Sequence, residues 1–301
     1  MSLLDAIHDN HLASVVDYLQ QGGNPDQFLE MGSPMLHEAV RANQPAMIRL
    51  LLQSGAQLEL ADLHGNKPLH LAGLYGSHAA VKLLLQSGAQ IDSTTPFRPW
   101  TALMVAINAR HVELACWLME MGADPHFVDQ QEGWTPFLLA CDHGLSDLAL
   151  ELLKRGASVH DQLKGGDAAG KTGIHLASYF GAVDVVHAMI ERGVNPNQIP
   201  TGGGLSALHW SVYNQHHKLF HYLIRAGADP NVEAPGLYRA RTPLHFAVSG
   251  QQMDMAATLL SHGADPMKRD IDGKSPLDIA LDRMDANTNS SSAVLLVEMM
   301  A

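Results

Sequence analysis

The feature that most constrains this chain is a glycine that returns at a nearly constant interval behind an apolar helical run. The string LLQSGA ends at Ala56 and again at Ala89, and LLKRGA ends at Ala157. Related endings place the glycine at Gly22, Gly55, Gly88, Gly122, Gly156, Gly193, Gly227 and Gly263, at intervals of 33 to 37 residues. Such a period is the mark of a solenoid, in which each repeat is one small supersecondary unit that buries its apolar face only against its neighbours. It also accounts for the length. At 301 residues the chain is long for a single compact core, yet no compositional break divides it.

A second landmark lies upstream of these glycines: KPLHLA from Lys67, TGIHLA from Thr172, SALHWS from Ser206, TPLHFA from Thr242 and SPLDIA from Ser275. Weaker copies read PMLHEA from Pro34, TALMVA from Thr101 and TPFLLA from Thr135, and MSLLDA from Met1 is a degenerate copy. Ser or Thr before Pro supplies an N-cap and then a residue whose φ is preset for the first helical turn, so each landmark opens a short helix. Small residues at Ala39, Ala72, Ala106, Ala140, Ala177 and Ala247 let neighbouring helices approach closely. A second amphipathic helix follows, as at Ala80, Val81, Leu84 and Leu85, and the periodic glycine closes it in the left-handed conformation.

These landmarks resemble the TPLHxA signature of ankyrin repeats, with TPLHFA a full match, and the resemblance covers essentially the whole chain. It implies an all-α repeat solenoid of helix-turn-helix units with β-hairpin-like loops. The expected organisation is a single domain over 1–301 with nine approximate units: 1–28, 29–61, 62–95, 96–129, 130–166, 167–200, 201–236, 237–269 and 270–301. The first and last are expected to be caps. Asp285 to Ser292 is expected to be a flexible polar insertion, and Val294 to Met300 a closing helix.

Composition narrows the partners. Formal net charge is −12, from 19 Lys plus Arg against 31 Asp plus Glu, and such a field repels phosphate backbones and anionic headgroups. Nucleic acid and membrane are therefore excluded as expected partners. Met1 to Asn10 holds no basic segment leading into a long apolar stretch, and no eighteen apolar residues run uninterrupted. A cytoplasmic location follows as the expectation, or a host cytoplasm for a secreted effector. Cys116 and Cys141 lie in apolar segments and suggest no disulfide framework.

Several strings imitate catalytic motifs. Gly165, Gly170, Lys171 and Thr172 match a Walker A pattern, but Val159 to Lys164 is too polar for the buried strand that a phosphate loop must follow. Gly170 and Thr172 also occupy the repeat positions of Gly65 and Lys67, and of Gly273 and Ser275. His37, His70, His175, His209 and His245 share one repeat position, which the resemblance assigns to bonding backbone groups of adjoining loops. His217 and His221 sit at i, i+4 without a further ligand at zinc spacing. No catalytic residue, cofactor or metal is expected, and an enzyme built on the Lys171 loop or the His217 and His221 pair is the contrasting reading.

The resemblance implies that a partner protein is held on a concave face made of loop tips and first-helix ends. Mapped onto this chain, those positions give Tyr75, Trp100, Trp134, His143, Tyr179, Phe180 and Tyr213, with Tyr238 and Arg241 from a lengthened loop. Buried aromatic anchors dominate many interfaces, and the chain has only 4 Trp, 6 Tyr and 7 Phe. Packing between repeats is the competing use of each ring. Loop lengthening around Phe97 and Arg98, Leu163 to Ala169, and Pro235 to Arg239 fits either binding or drift. The expected function is a non-enzymatic, monomeric interaction module acting as adaptor or steric inhibitor, with immunity protein or secreted effector as alternative roles. The acidic balance suits a partner with a basic surface or active site.

Overall fold

The computed structural model of the chain describes residues 2–30, 32–286 and 291–300. It divides into two compact units, Met1–Leu148 and Ala149–Ala301. Among the described residues there are eighteen α-helices in consecutive pairs, two short 3-10 turns and no β-strand, only isolated antiparallel bridges. The fold is an all-α repeat solenoid.

In the first unit the pairs are α1 (Leu3–His8) with α2 (Leu12–Gln20), α3 (Met35–Arg41) with α4 (Pro45–Gln53), α5 (Pro68–Leu74) with α6 (His78–Gln86), and α7 (Ala102–Asn108) with α8 (Val112–Glu120). Helix α9 (Pro136–Asp142) follows, and α10 (Ser146–Lys154) spans the boundary. The second unit holds α11 (Gly173–Tyr179), α12 (Val183–Glu191), α13 (Ala207–Tyr213), α14 (His217–Arg225), α15 (Pro243–Ser249), α16 (Met253–Ser261), α17 (Pro276–Ala286) and α18 (Ser291–Met300). From α3 to α15 every first helix has seven residues, and from α2 to α16 every second helix has nine. The repeat period read from the glycines is thus carried by helices of constant length, and only the loops vary.

Local chemistry sets the helix ends. Thr101, Thr135 and Ser206 each accept the N–H three residues on, at 3.4, 3.1 and 3.4 Å, the N-cap bond expected of them. From α2 to α16 each second helix closes at a glycine with φ between 82° and 100°, as at Gly122 and Gly227. A left-handed residue also joins the two helices of each pair from α1–α2 to α15–α16. Gly76, Gly144 and Gly181 fill it in three pairs, but Asn10, Asn43, Arg110, Gln215 and Gln251 adopt it in the other five at φ of 49° to 64°, which the sequence reading did not anticipate.

Packing runs along each unit between like helices: α3 on α5, α5 on α7 and α7 on α9 in the first, and α11 on α13, α13 on α15 and α15 on α17 in the second. Ala39, Ala72, Ala106, Ala140, Ala177 and Ala247 are all buried. At Gly73 even a methyl would stand 2.8 Å from the Ala102 carbonyl, so α5 and α7 touch backbone to backbone there. Met35, Met47, Ile48, Leu51, Leu84, Leu103, Phe137 and Phe220 fill the interior, each worth about 1.5–3 kcal/mol of apolar burial.

Polar bonds between successive repeats add a second set of ties. Gln57, Gln90 and Asp124 donate backbone N–H to the carboxylates of Asp26, Glu59 and Asp92, at 2.8, 3.0 and 2.9 Å. Asp229 and Asp265 do the same to the side-chain carbonyls of Asn197 and Asn231. Of the expected insertion Asp285 to Ser292, residues 285–286 end α17, residues 291–292 begin α18, and 287–290 lie outside the described residues. Met1 of the first landmark lies outside them too.

Candidate protein-interaction surface

The five signature histidines are scaffold. In the second unit His175, His209 and His245 each donate Nε2–H to the carbonyl of a following loop: Gln198, Arg241 and Lys274, at 2.9, 3.0 and 3.1 Å. Nδ1 of each accepts the N–H of its own N-cap residue, Thr172, Ser206 and Thr242. In the first unit His37 and His70 reach the Asn66 and Ser93 carbonyls, both at 2.9 Å. In His70, His175, His209 and His245, where Nδ1 accepts the N-cap N–H, a neutral ring with one donating and one accepting nitrogen is thereby locked in place, while Nδ1 of His37 is buried without a partner. Burial pushes His70, His175 and His209 down to about 4, and lowers His37 and His245 as well.

The motifs that imitate chemistry dissolve in the same way. Gly166–Ala168 is a 3-10 turn, and Gln162 meets Thr172 in a single antiparallel bridge, so a loop and no buried strand precedes Lys171. Ring His216 lies over Gly181, where a methyl would fall 2.6 Å from it, and its Nε2 donates to the Tyr179 carbonyl at 2.8 Å. His217 and His221 are exposed, and no group of three His, Cys, Asp or Glu able to hold a metal occurs among the described residues. Cys141 is a buried free thiol whose ionisation burial strongly opposes. No described helix is long and apolar enough to cross a membrane.

The second unit gathers four of the expected contact residues into one surface. Tyr179 and Phe180, at the end of α11, meet edge to face with ring centres 5.0 Å apart. Tyr179 packs on Trp210 of α13 at 5.0 Å, Trp210 on Tyr213 at 6.0 Å, Tyr213 on Phe246 of α15 at 6.0 Å, and Phe246 on Tyr238 at 6.3 Å. The contacts from Phe180 to Phe246 are T-shaped, which suits ring quadrupoles, and the Phe246–Tyr238 contact is tilted. Tyr179, Phe180 and Tyr213 stay 47%, 44% and 57% exposed, while Trp210, Phe246 and Tyr238 are half-buried. Trp210 and Phe246 were missed by sequence reasoning. Their signal was available: they fill the variable position of SALHWS and TPLHFA, where other repeats carry aliphatic or acidic residues.

Arg241, an expected contact residue, is half-buried and its guanidinium is already committed within the fold. Its guanidinium bonds the fully buried carboxylate of Asp270 at 3.1 Å, and its carbonyl receives His209. Asp270 in turn accepts the N–H groups of Asp272 and Lys274 at 2.9 and 3.0 Å, so Arg241 serves to neutralise the acid that folds the next loop tip. Arg239 pairs with Asp272 beside it.

In the first unit the expected residues stay apart. Tyr75 is exposed at the end of α5. His143 donates Nε2–H to Asn108 at 3.2 Å, and its carbonyl receives Arg110 at 2.8 Å. Trp100 corrects the sequence expectation outright: only 5% exposed, it lies beneath the Arg98 guanidinium, 4.3 Å from the ring centre, as a core residue of the tip. Trp134 is half-buried and donates Nε1–H to Glu132 at 3.0 Å, and Glu132 also pairs with Arg98. The lengthening at Phe97 and Arg98 thus makes a tip tied to both neighbouring loops, through Arg98 to Glu132 and with Phe97 lying over Gly65 of the preceding loop.

Comparison with known proteins agrees with this architecture. The family model described as ankyrin repeats (3 copies) matches residues 3–95, 92–163, 159–234 and 208–298. The B-cell lymphoma 3 protein homolog of Mus musculus is 32% identical over 183 residues, 61% of this chain and 40% of that protein. The putative palmitoyltransferase ZDHHC13 of Danio rerio is 31% identical over 147 residues, 48% of this chain and 21% of that protein. The nuclear factor NF-kappa-B p105 subunit of Gallus gallus is 32% identical over 152 residues, 50% of this chain and 15% of that protein. The chain therefore spans less than half the length of these relatives. With repeats matched from residue 3 to residue 298 over helix pairs of constant length, this chain belongs to the ankyrin-repeat family.

Proposed function

We propose that the chain is a non-enzymatic interaction module that holds a partner protein against the aromatic row of its second unit, as an adaptor or as a steric inhibitor. Repeats of this family generally mediate contacts between proteins. What supports the reading is the row itself: three large rings, Tyr179, Phe180 and Tyr213, stand about half exposed and are linked through Trp210, at helix ends where scaffold packing asks for no aromatic residue. Clustered aromatic side chains of this kind are where binding energy concentrates in protein interfaces. Tyr75, Trp134 and His143 are proposed as secondary contacts.

Charge supports the inhibitor form and the immunity or effector roles that go with it. Residues 1–148 hold 16 Asp and Glu against 6 Lys and Arg, while residues 149–301 hold 15 against 13, so almost the whole acidic excess lies in the first unit. A partner that also touches the first unit is one with a basic surface. We read the nine units as a single domain that acts as a monomer in a cytoplasm, its own or a host's.

The test is cross-linking and affinity capture from cells producing the tagged full chain, compared with a variant carrying Tyr179→Ala, Phe180→Ala and Tyr213→Ala. The exposed rings contribute little to the fold, so the variant should keep its helical circular dichroism while losing at least about 30-fold in partner recovery. Equal recovery with both proteins would sink the reading.

A further inference from the structure

Beside the aromatic row the second unit contains a cavity of about 280 Å³, formed where three loop tips meet. Lys171, Leu205, Trp210, Leu237, Tyr238 and the glycine run 202–204 line it, and its wall holds no carboxylate. Lys171 occupies the repeat position directly before the signature, as Arg241 and Lys274 do. Those two are neutralised, Arg241 by Asp270 and Lys274 by Asp282 at 2.7 Å. Among the described residues no carboxylate pairs with the Lys171 ammonium.

We propose that this cavity receives an Asp or Glu side chain from an extended segment of the partner, its carboxylate against Lys171 and an adjacent apolar residue against Trp210 and Tyr238. The proposal rests on the interaction reading above and names the partner's chemistry at this site. Three observations support it. An unpaired cation over an apolar, aromatic wall rewards a single negative charge that arrives with its own apolar neighbour. The run 202–204 presents no side chains, so a partner main chain can approach closely, as glycine allows. Trp210 belongs both to the cavity and to the row that continues through Tyr179 and Phe180, so a polypeptide can occupy both at once where a small ligand would fill the cavity alone. A phosphate is poorly matched, because it carries nearly two charges and this wall offers one ammonium.

The experiment is a positional-scanning peptide library passed over the immobilised full-length chain, with wild type, Lys171→Met and Lys171→Glu in parallel and circular dichroism melts on each. Wild type should prefer Asp or Glu over Asn or Gln by about tenfold at one position, with an apolar preference beside it. Lys171→Met should erase the acidic preference and keep the apolar one, and Lys171→Glu should turn the selection toward Lys or Arg. An acidic preference that survives in Lys171→Met, or none in wild type beside an intact apolar preference, overturns the cavity assignment alone. Release of bound peptide by ATP or inorganic phosphate at concentrations where acetate has no effect overturns it in favour of a small-anion site. If wild type selects no peptide the cavity assignment falls, while the interaction reading is decided separately by partner capture with the Tyr179→Ala, Phe180→Ala, Tyr213→Ala variant.

Discussion

Acidifying the medium from neutrality to about pH 5.5 should cost this protein about 4 kcal/mol of stability through three histidines alone. His70, His175 and His209 are held near 4 in the folded chain against an ordinary value of 6.5, chiefly because burial opposes the charged ring. Their geometry reinforces this: Nδ1 accepts a backbone N–H, and a proton placed there would face another proton. With the folded value depressed, the unfolded chain binds more protons. The stability is therefore fully present above about 6.5 and is lost as the pH falls toward 4. At about pH 5.5 an unfolded imidazole is protonated about ten to one while the folded one stays neutral, which is worth about 1.4 kcal/mol per residue, against about 0.2 at neutrality. His37 and His245 act in the same direction. Carboxylates held low, such as Asp5, Glu59 and Asp278, titrate below this window. The assay is urea unfolding followed by circular dichroism and tryptophan fluorescence across the range. Repeat arrays need not unfold in one step, and with His37 and His70 in the first unit and His175, His209 and His245 in the second, the second should lose more. Replacing His175 and His209 by Gln should flatten the dependence. A wild-type midpoint that stays constant or rises on acidification would refute the account.

Two further substitutions separate scaffold from surface. Trp100→Ala should lower unfolding stability by about 3–5 kcal/mol in chemical denaturation, because it empties a buried site, while leaving partner capture intact. An exposed anchor would show the reverse pattern. Asp270→Ala should cost about 2–4 kcal/mol, since it strips Arg241 of its partner and two loop N–H groups of their acceptor; a melting temperature within error of wild type would show that the Arg241 pair is dispensable.

How much was legible in the residues follows from where each property is encoded. The helix pairs, their caps, the closing glycines and the shared histidine position are set by chemistry within one repeat, so their spacing alone announces them. The exposed aromatic row was only partly legible. Mapping repeat positions picked out Tyr179, Phe180, Tyr213 and Tyr238, which the fold sets in that row, but it treated every loop-tip aromatic alike and included Trp100, which a lengthened loop folds beneath Arg98. It could not see that Arg241 is paired, because the acid that claims it, Asp270, sits in the next repeat. It passed over Trp210 and Phe246 because their exposure depends on the rings beside them.

The sequence by itself determined the repeat, its period and the type of each element, because those depend on bonds and φ angles within a few residues of one another. Only the tertiary structure decided which side chains face outward and which charges remain unpaired. Exposure and neutralisation belong to pairs of residues about thirty positions apart, as with Arg241 and Asp270, and a repeat read alone does not contain its neighbour. That is why Lys171, two loop tips from Tyr238, reads as an empty nucleotide motif in the sequence and as the cation of a small aromatic cavity in the fold.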